Sequence, residues 1–422
     1  MGKFLKRVII KKEIKKVQFL KYLSKQQRDI FIKSTKDFYG KKIIHINATA
    51  KGGGVAELLQ SIIPYSKSLG IQSEWYVINP NIGGNFFKTT NKFFDGLQGR
   101  EVEINNSDWR EYEVKSRLMA KEIDKIDCDI LVIHDTQPLL AGYLSQVKCR
   151  KIFYNHVDTS CPFNKVWNKL YDTINSYQEI IFSNKDFVNN NLDKNKVKIF
   201  TPAIDPLSKK QEKVSRDKAR RYLSEKGDIP QKGSLIVQVS RFDHWKNPIG
   251  LIEAFRLMKE NNLLLNDTKL ALVGFNSAKD NPLAEIAFKE VLDFTSKDNN
   301  IYLFYRPSGK NIIEFTMMAQ NAADIVVQNS IKEGFGLTVS EAMWKGKAVI
   351  GGPASGIRKQ IVNGKNGLIA KDVKDLAKKM EILLLNPKKR RGLGIEAKKK
   401  VRDSFLFSRF IVDFLKVCFS SF

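Results

Sequence analysis

Four short stretches of this 422-residue chain combine residue types at spacings suited to chemistry on a phosphate or a sugar. In "VSRFDHWKNP", Arg241 can grip a phosphate with a planar guanidinium fork, and Lys246 supplies a second positive charge. The richest stretch is "IKEGFGLTVSEAMWKG", residues 331 to 346, where Glu333 and Glu341 lie eight apart with Gly334 and Gly336 between them. Glycines at a helix start expose backbone N–H groups to an anion, and Glu341 falls about two turns along that helix. His134 and Asp135 in "VIHDTQP", and His156 and Asp158 in "YNHVDTS", form the third group. Each histidine alone reads slightly more readily as a satisfied structural residue than as a catalyst; together they point to a site. The fourth is "NATAKGGGVAELLQ", with Gly52, Gly53 and Gly54 in a row. Such a run permits a turn at positive φ and a close approach of another molecule. A phosphate, a sugar or tight packing would each suit it, but the G-x-G-x-x-G spacing and the Walker lysine are missing.

These residues need strands that end where they begin. Apolar runs alternate with helix-period segments from residue 41 onward, the pattern of parallel sheets with crossover helices. The first-half strand candidates are "KIIHIN", "SEWYVI", "DILVIHD", "RKIFYNH", "EIIFSN" and "VKIFTP". Between the first two, Val55, Leu58, Leu59 and Ile62 recur at helical spacing. A second series follows: "SLIVQVSR", "KLALVG", "NIYLFYR", "ADIVVQNS" and "KAVIGG". The expected organisation is a basic, helical N-terminal extension over 1–40, an α/β domain over 41–205, and a polar linker over 206–232. A second α/β domain over 233–402 and a C-terminal helix over 403–422 that packs back on the body complete it. Ligands of open parallel sheets sit beyond the carboxyl ends of the strands, where all four stretches fall.

A net charge of +27 raises the question of nucleic acid, but residues 1–40 and 371–402 carry +17 of it. The middle of the chain lacks the interleaved aromatic and basic residues that stack and neutralise a strand, which disfavours nucleic acid as a partner. Phe4, Leu5, Val8 and Ile9 could share one face of a basic amphipathic helix, giving a contact with an anionic membrane. No apolar run approaches the length of a membrane span, and "VII" near the N-terminus is too short for a signal peptide, so a cytoplasmic protein is expected. Cys128, Cys149, Cys161 and Cys418 lack C-x-x-C spacing and are expected to be reduced thiols.

Arg241 and Lys246, followed by Glu333 and Glu341 in "EGFGLTVSEAMW", resemble the donor site of retaining glycosyltransferases of the GT-B fold. With "HINATAKGGGVAELLQSIIP", "VIHDTQPL" and "HVDTS" added, the chain from about Lys41 to about Lys400 is similar to the glycosyltransferring trehalose synthases, within the glycogen synthase and sucrose synthase-like superfamily. The resemblance implies two Rossmann-like domains facing a central cleft. It also implies transfer of glucose from UDP-, ADP- or GDP-glucose to free glucose, giving α,α-trehalose with retention and with the direction open to reversal.

On that resemblance, Arg241 and Lys246 stabilise the departing diphosphate, and Glu341 bonds the donor ribose. Glu333, with the N–H groups of Gly334, Phe335, Gly336 and Leu337, holds the transferred glucose and distal phosphate. His156 lies beside the reacting carbon and Asp135 near the acceptor hydroxyls. Gly53 and Gly54 close over the diphosphate and acceptor, so that a bulky residue at Gly53 damages transfer more than folding. No cofactor or metal is implied: Asp127-Cys128-Asp129 has the D-x-D form that binds metal in another glycosyltransferase fold, but it precedes its strand and falls at the amino end. Departures from the family pattern occur at Ala354-Ser355, in the "FYRPSGKNIIEF" loop and at Tyr154-Asn155, and they bear on base preference and acceptor fit. The rival readings are a trehalose phosphorylase, a transferase to a lipid or polysaccharide acceptor, and a catalytically silent sugar-nucleotide or nucleic-acid binder. A homodimer is compatible with all of them.

Overall fold

The computed structural model describes residues 3–35, 38–51, 53–262, 265–276, 283–296, 298–307 and 312–419. The chain divides into two compact units. The first is built from residues up to Ala203 and from the segment beginning at Phe407; the second lies between Ile204 and Leu406.

The sheet of the first unit runs β1 (Leu5–Val8), β3 (Gln72–Ile78), β2 (Lys42–Asn47), β4 (Ile130–His134), β5 (Arg150–Asn155), β6 (Glu179–Phe182) and β7 (Val197–Ile199). All pairs are parallel except β1 with β3. Near-continuous apolar runs suit strands covered on both faces, and every residue of β4 and all of β2 after Lys42 is buried. The helix Gly54–Ser68 follows β2 and turns Leu58, Leu59 and Ile62 into the core, with Val55 half-buried.

The N-terminal extension differs from expectation. Residues 5–8 form an edge strand instead of the amphipathic helix that Phe4, Leu5, Val8 and Ile9 suggested. Leu5 is buried, and the Phe4 and Leu5 N–H groups donate to the two carboxylate oxygens of Glu122 at 3.0 and 2.9 Å. Partners for the backbone on one side and the core on the other outweigh the weak helical period of so short a segment. Short helices follow at Lys16–Leu20 and Lys25–Thr35.

The helix Phe407–Phe419 belongs to this first unit, far in sequence from the rest of it. Phe407, Phe410, Ile411, Phe414, Leu415 and Cys418 are buried, a continuous stripe at three- and four-residue spacing. Tyr65 packs against Phe407 and Phe200 against Phe410.

The second unit has a parallel sheet in the order β10 (Ile301–Pro307), β9 (Lys269–Asn276), β8 (Leu235–Val239), β11 (Ile325–Gln328), β12 (Ala348–Gly351) and β13 (Leu368–Ile369). The 206–232 stretch, expected as a linker, folds into this unit. Ser215 caps the helix Arg216–Gly227, and Arg220 is buried with its guanidinium 2.9 Å from Asp324 Oδ2 and donating to the Ala322 carbonyl. The short helix expected within this stretch is therefore present, but the buried Arg220–Asp324 pair makes it part of the second unit and not a linker. The Cys128 and Cys149 thiols lie 3.1 Å apart at the amino ends of β4 and β5. Among the described residues no helix is long and apolar enough to cross a membrane.

Candidate active site

In the second unit, the loop after β8 is set by its own polar residues. The Asp243 side chain caps a short turn over His244–Lys246, accepting from the Lys246 N–H at 3.2 Å. Asn247 then adopts a left-handed conformation, accepts from the Gly250 N–H, and starts the helix Pro248–Asn261 with proline in its first turn. Fixed this way, Lys246 extends its ammonium to 2.6 Å from Glu333 Oε2, both side chains being largely buried. Ser330 Oγ adds a donor to the same carboxylate oxygen at 3.3 Å. Arg241 stands nearer solvent and faces Asp243 at 3.5 Å rather than Glu333.

Gly334 to Leu337 lead from Glu333 into the helix Leu337–Trp344. Gly336 is its N-cap at φ +83°, where a side chain is strained, and no side chain caps the helix. Phe335 turns inward against Phe405, leaving only its main chain for a ligand. Glu341 is buried one turn along, with Oε1 at 3.2 Å from Lys210 Nζ and Oε2 without a hydrogen-bond partner among the described residues. Burial pushes the neighbouring Lys345 ammonium down to about 8, while Glu341 pulls it upward.

In the first unit, Asp135 follows the last residue of β4 in a left-handed conformation, φ 60°. Its N–H donates to the Tyr154 carbonyl at 3.1 Å, and its Oδ1 accepts from the His156 N–H at 2.8 Å. Burial pushes the Asp135 carboxyl up to about 7, against the pull of that N–H. His156 stacks on the Tyr154 ring at 3.9 Å and is itself held near 3 by burial, hence neutral. Asp158 is buried and accepts from Ser160. Gly53 caps the helix Gly54–Ser68 in extended backbone, and a Cβ there would meet nothing within 4 Å. Gly52 and the 308–311 loop lie outside the described residues.

The structure therefore joins Lys246 to Glu333, and Asp135 to His156. It puts Gly53, Gly54 and Asp135 after the carboxyl ends of the neighbouring strands β2 and β4, without a hydrogen bond between them among the described residues. Asp129 of the D-x-D holds Lys41 Nζ at 3.0 Å and the Lys42 N–H at 2.8 Å, a structural task at the amino end. Among the described residues no group of three or more His, Cys, Asp or Glu is placed to hold a metal ion.

Residues 45–189 match the family described as "Trehalose synthase, N-terminal domain", and residues 219–400 match "Glycosyl transferases group 1". A trehalose synthase of Pyrococcus horikoshii is 35% identical over 379 residues, spanning 90% of this chain and 89% of the relative. The chain belongs to the trehalose synthase family of GT-B glycosyltransferases. A trehalose phosphorylase of Grifola frondosa is also similar, at 26% over 371 residues, but this chain spans only half of it. Among solved structures, an α,α-trehalose 6-phosphate synthase from Burkholderia multivorans shares the fold, with a TM-score of 0.73 at 13% identity over 90% of this chain and 98% of that one.

In this member of the trehalose synthase family, three positions that the motifs did not single out, Gln360, Gly356 and Lys210, support the loop and the helix after it. Gln360 donates to the Phe335 carbonyl and, at 3.2 Å, to the Gly336 carbonyl, while its own Oε1 accepts from Ser340 at 2.5 Å. Gly356 lies against the Glu333 carbonyl, where a Cβ would collide with it. Lys210 comes from the stretch expected to be a linker. Only proximity in the fold reveals them. A buried glutamine beyond β12 has no spacing relation to "EGFG" that a sequence could flag.

Proposed function

We propose that this glycosyltransferase moves glucose from a nucleoside-diphosphate glucose to the anomeric hydroxyl of free glucose, forming α,α-trehalose with retained configuration. The observation that carries the proposal is the pairing of Lys246 with Glu333 beside the glycine loop and uncapped helix start of Gly334 to Leu337. Cationic and N–H donors there suit a diphosphate leaving group, whose negative charge grows as its bond to the sugar breaks. The bond from the anomeric carbon to the phosphate oxygen breaks with its electrons going to the diphosphate. The acceptor oxygen forms the new bond on the same face, and its proton passes to the departing phosphate oxygen.

Within this mechanism Arg241 and Lys246 bind the diphosphate, Glu333 orients the donor glucose, and the buried Glu341 takes the ribose with its open oxygen. Asp135, titrating near neutrality, can accept from or donate to an acceptor hydroxyl. His156 is assigned to the sugar at the reacting carbon, and Gly53 and Gly54 to close backbone contact with the substrates. No step calls for a divalent ion, so full activity is expected in excess chelator.

Incubation with glucose and UDP-, ADP- or GDP-glucose should yield trehalose, and Glu333→Gln should abolish most of the turnover. Trehalose formed only from glucose 1-phosphate would make the protein a phosphorylase. No disaccharide from any donor would reject the proposal, as would near-normal transfer by the Glu333→Gln variant.

A further inference from the structure

Three of the four histidines of the chain form a continuous line through the first unit. His45 Nδ1 lies 3.0 Å from His134 Nε2, and His134 Nδ1 lies 2.9 Å from His156 Nε2. They come from the neighbouring strands β2 and β4 and from the residue just past β5, so the line runs across the sheet. His45 and His134 have no solvent exposure, and the far ring packs against Phe414 of the helix Phe407–Phe419. Burial holds all three imidazoles well below their ordinary value, and neighbouring rings add to this at His134. They are therefore neutral, with one proton each.

Neutral rings in such a line have two self-consistent arrangements. If every proton sits on Nδ1, His45 donates to His134, His134 donates to His156, and His45 Nε2 ends the line as a bare lone pair. If every proton sits on Nε2, the donation runs the other way and the line ends in an N–H at His45. That terminal Nε2 is buried and has no hydrogen-bond partner among the described residues. An orphaned buried N–H is rarer and costlier than an acceptor left without a donor. Asp135 meets His156 through the backbone N–H and does not compete for the ring proton, and Arg409 acts on the Tyr154 hydroxyl.

We propose that His45 and His134 are positioning residues that lock His156 as the Nδ1–H tautomer, so that it meets a sugar hydroxyl as a hydrogen-bond donor and not as a base. The second half of this inference rests on the assignment of His156 to the sugar; the first half does not. The Nδ1 atom of His156 has no partner among the described residues, which leaves its proton available. A tautomer is commonly set by a carbonyl or carboxylate on the other nitrogen. Here the apolar end of the line does that work from two residues away.

With so few histidines, ¹⁵N-histidine labelling and long-range ¹H–¹⁵N correlation at neutral pH can resolve every ring, assigned through single substitutions. The expected result is three neutral rings with protonated Nδ1 and bare Nε2. A protonated Nε2 at His156, or an imidazolium there, would overturn the proposal. In the transfer assay, His134→Leu should lower kcat by about tenfold to a hundredfold with KM little changed. His134→Asn, whose amide N–H can take the place of Nδ1, should recover most of that loss. A folded Leu variant with full kcat would also overturn the donor role. If the wild-type protein transfers no sugar, the functional assignment fails, and the spectra alone decide the tautomer.

Discussion

The two units present their polar residues at strand ends in opposite electrical styles. In the first, three imidazoles in line are held neutral, two of them fully buried, beside an aspartate whose carboxyl titrates near neutrality. In the second they are charged and paired, Lys246 with Glu333, Arg241 with Asp243 and Lys210 with Glu341. Under the proposed function, the contrast matches the chemistry that each would meet. A diphosphate needs fixed charge that an incoming anion can recruit from an existing pair. Sugar hydroxyls need donors and acceptors held in one protonation state, which burial supplies without charge.

Acid should break the comparison most strongly. His45 and His156 hold folded values near 3, below the unfolded 6.5, so between those limits the unfolded chain binds protons that the native chain does not. Stability is present above pH 6.5 and is lost as pH falls towards 3, by up to ~1.4 kcal/mol per pH unit for each ring. Asp135 works the other way, because its raised carboxyl favours the native state as pH falls from 7 towards 4. Two or three rings against one carboxyl leave a net acid loss. Fluorescence of variants retaining only Trp75, or only Trp344, should show the first unit unfolding at the higher pH, and simultaneous loss would contradict it.

Removing charge from the second unit comes next. Lys246→Ala is expected to lower kcat/KM by about 10²- to 10³-fold with the melting temperature nearly unchanged; a change below threefold would show that Glu333 needs no cation. Gly336→Ala should cost roughly 1–2 kcal/mol from its left-handed backbone, read by denaturant unfolding. Gly53→Ala is the smallest structural perturbation, within about 0.5 kcal/mol, since its Cβ enters open space. A clear fall in transfer by that folded variant would mark a close substrate approach, whereas unaltered kinetics would remove Gly53 from the site.

Strands with dense apolar runs were legible in the chain, and so was their division into two sheets with parallel strands. The edge strand β1 was not, because one buried leucine among lysines carries almost no period, and its partner is a distant strand. Strand β13 is two residues long and depends on β12 for its existence. For the candidate site, the motif residues were visible because their signals are local: Lys246 sits in a self-capping turn, and Glu333 precedes the glycine turn that leads into a helix. The line from His45 to His156 was invisible because it depends on β2, β4 and β5 lying side by side, and His45 had no partner in its own segment.

The helix Phe407–Phe419 has a consequence for how the molecule is made. It completes the core of the first unit, stacking on residues as early as Phe38 and Tyr65. During synthesis, the ribosome must build the entire second unit before that helix emerges, so the usual order of N-terminal folding first is interrupted. Until then the nascent first unit exposes the apolar surface around Phe200 and His45 that Phe410 and Phe414 later cover. The unit begun first is thus the one finished last.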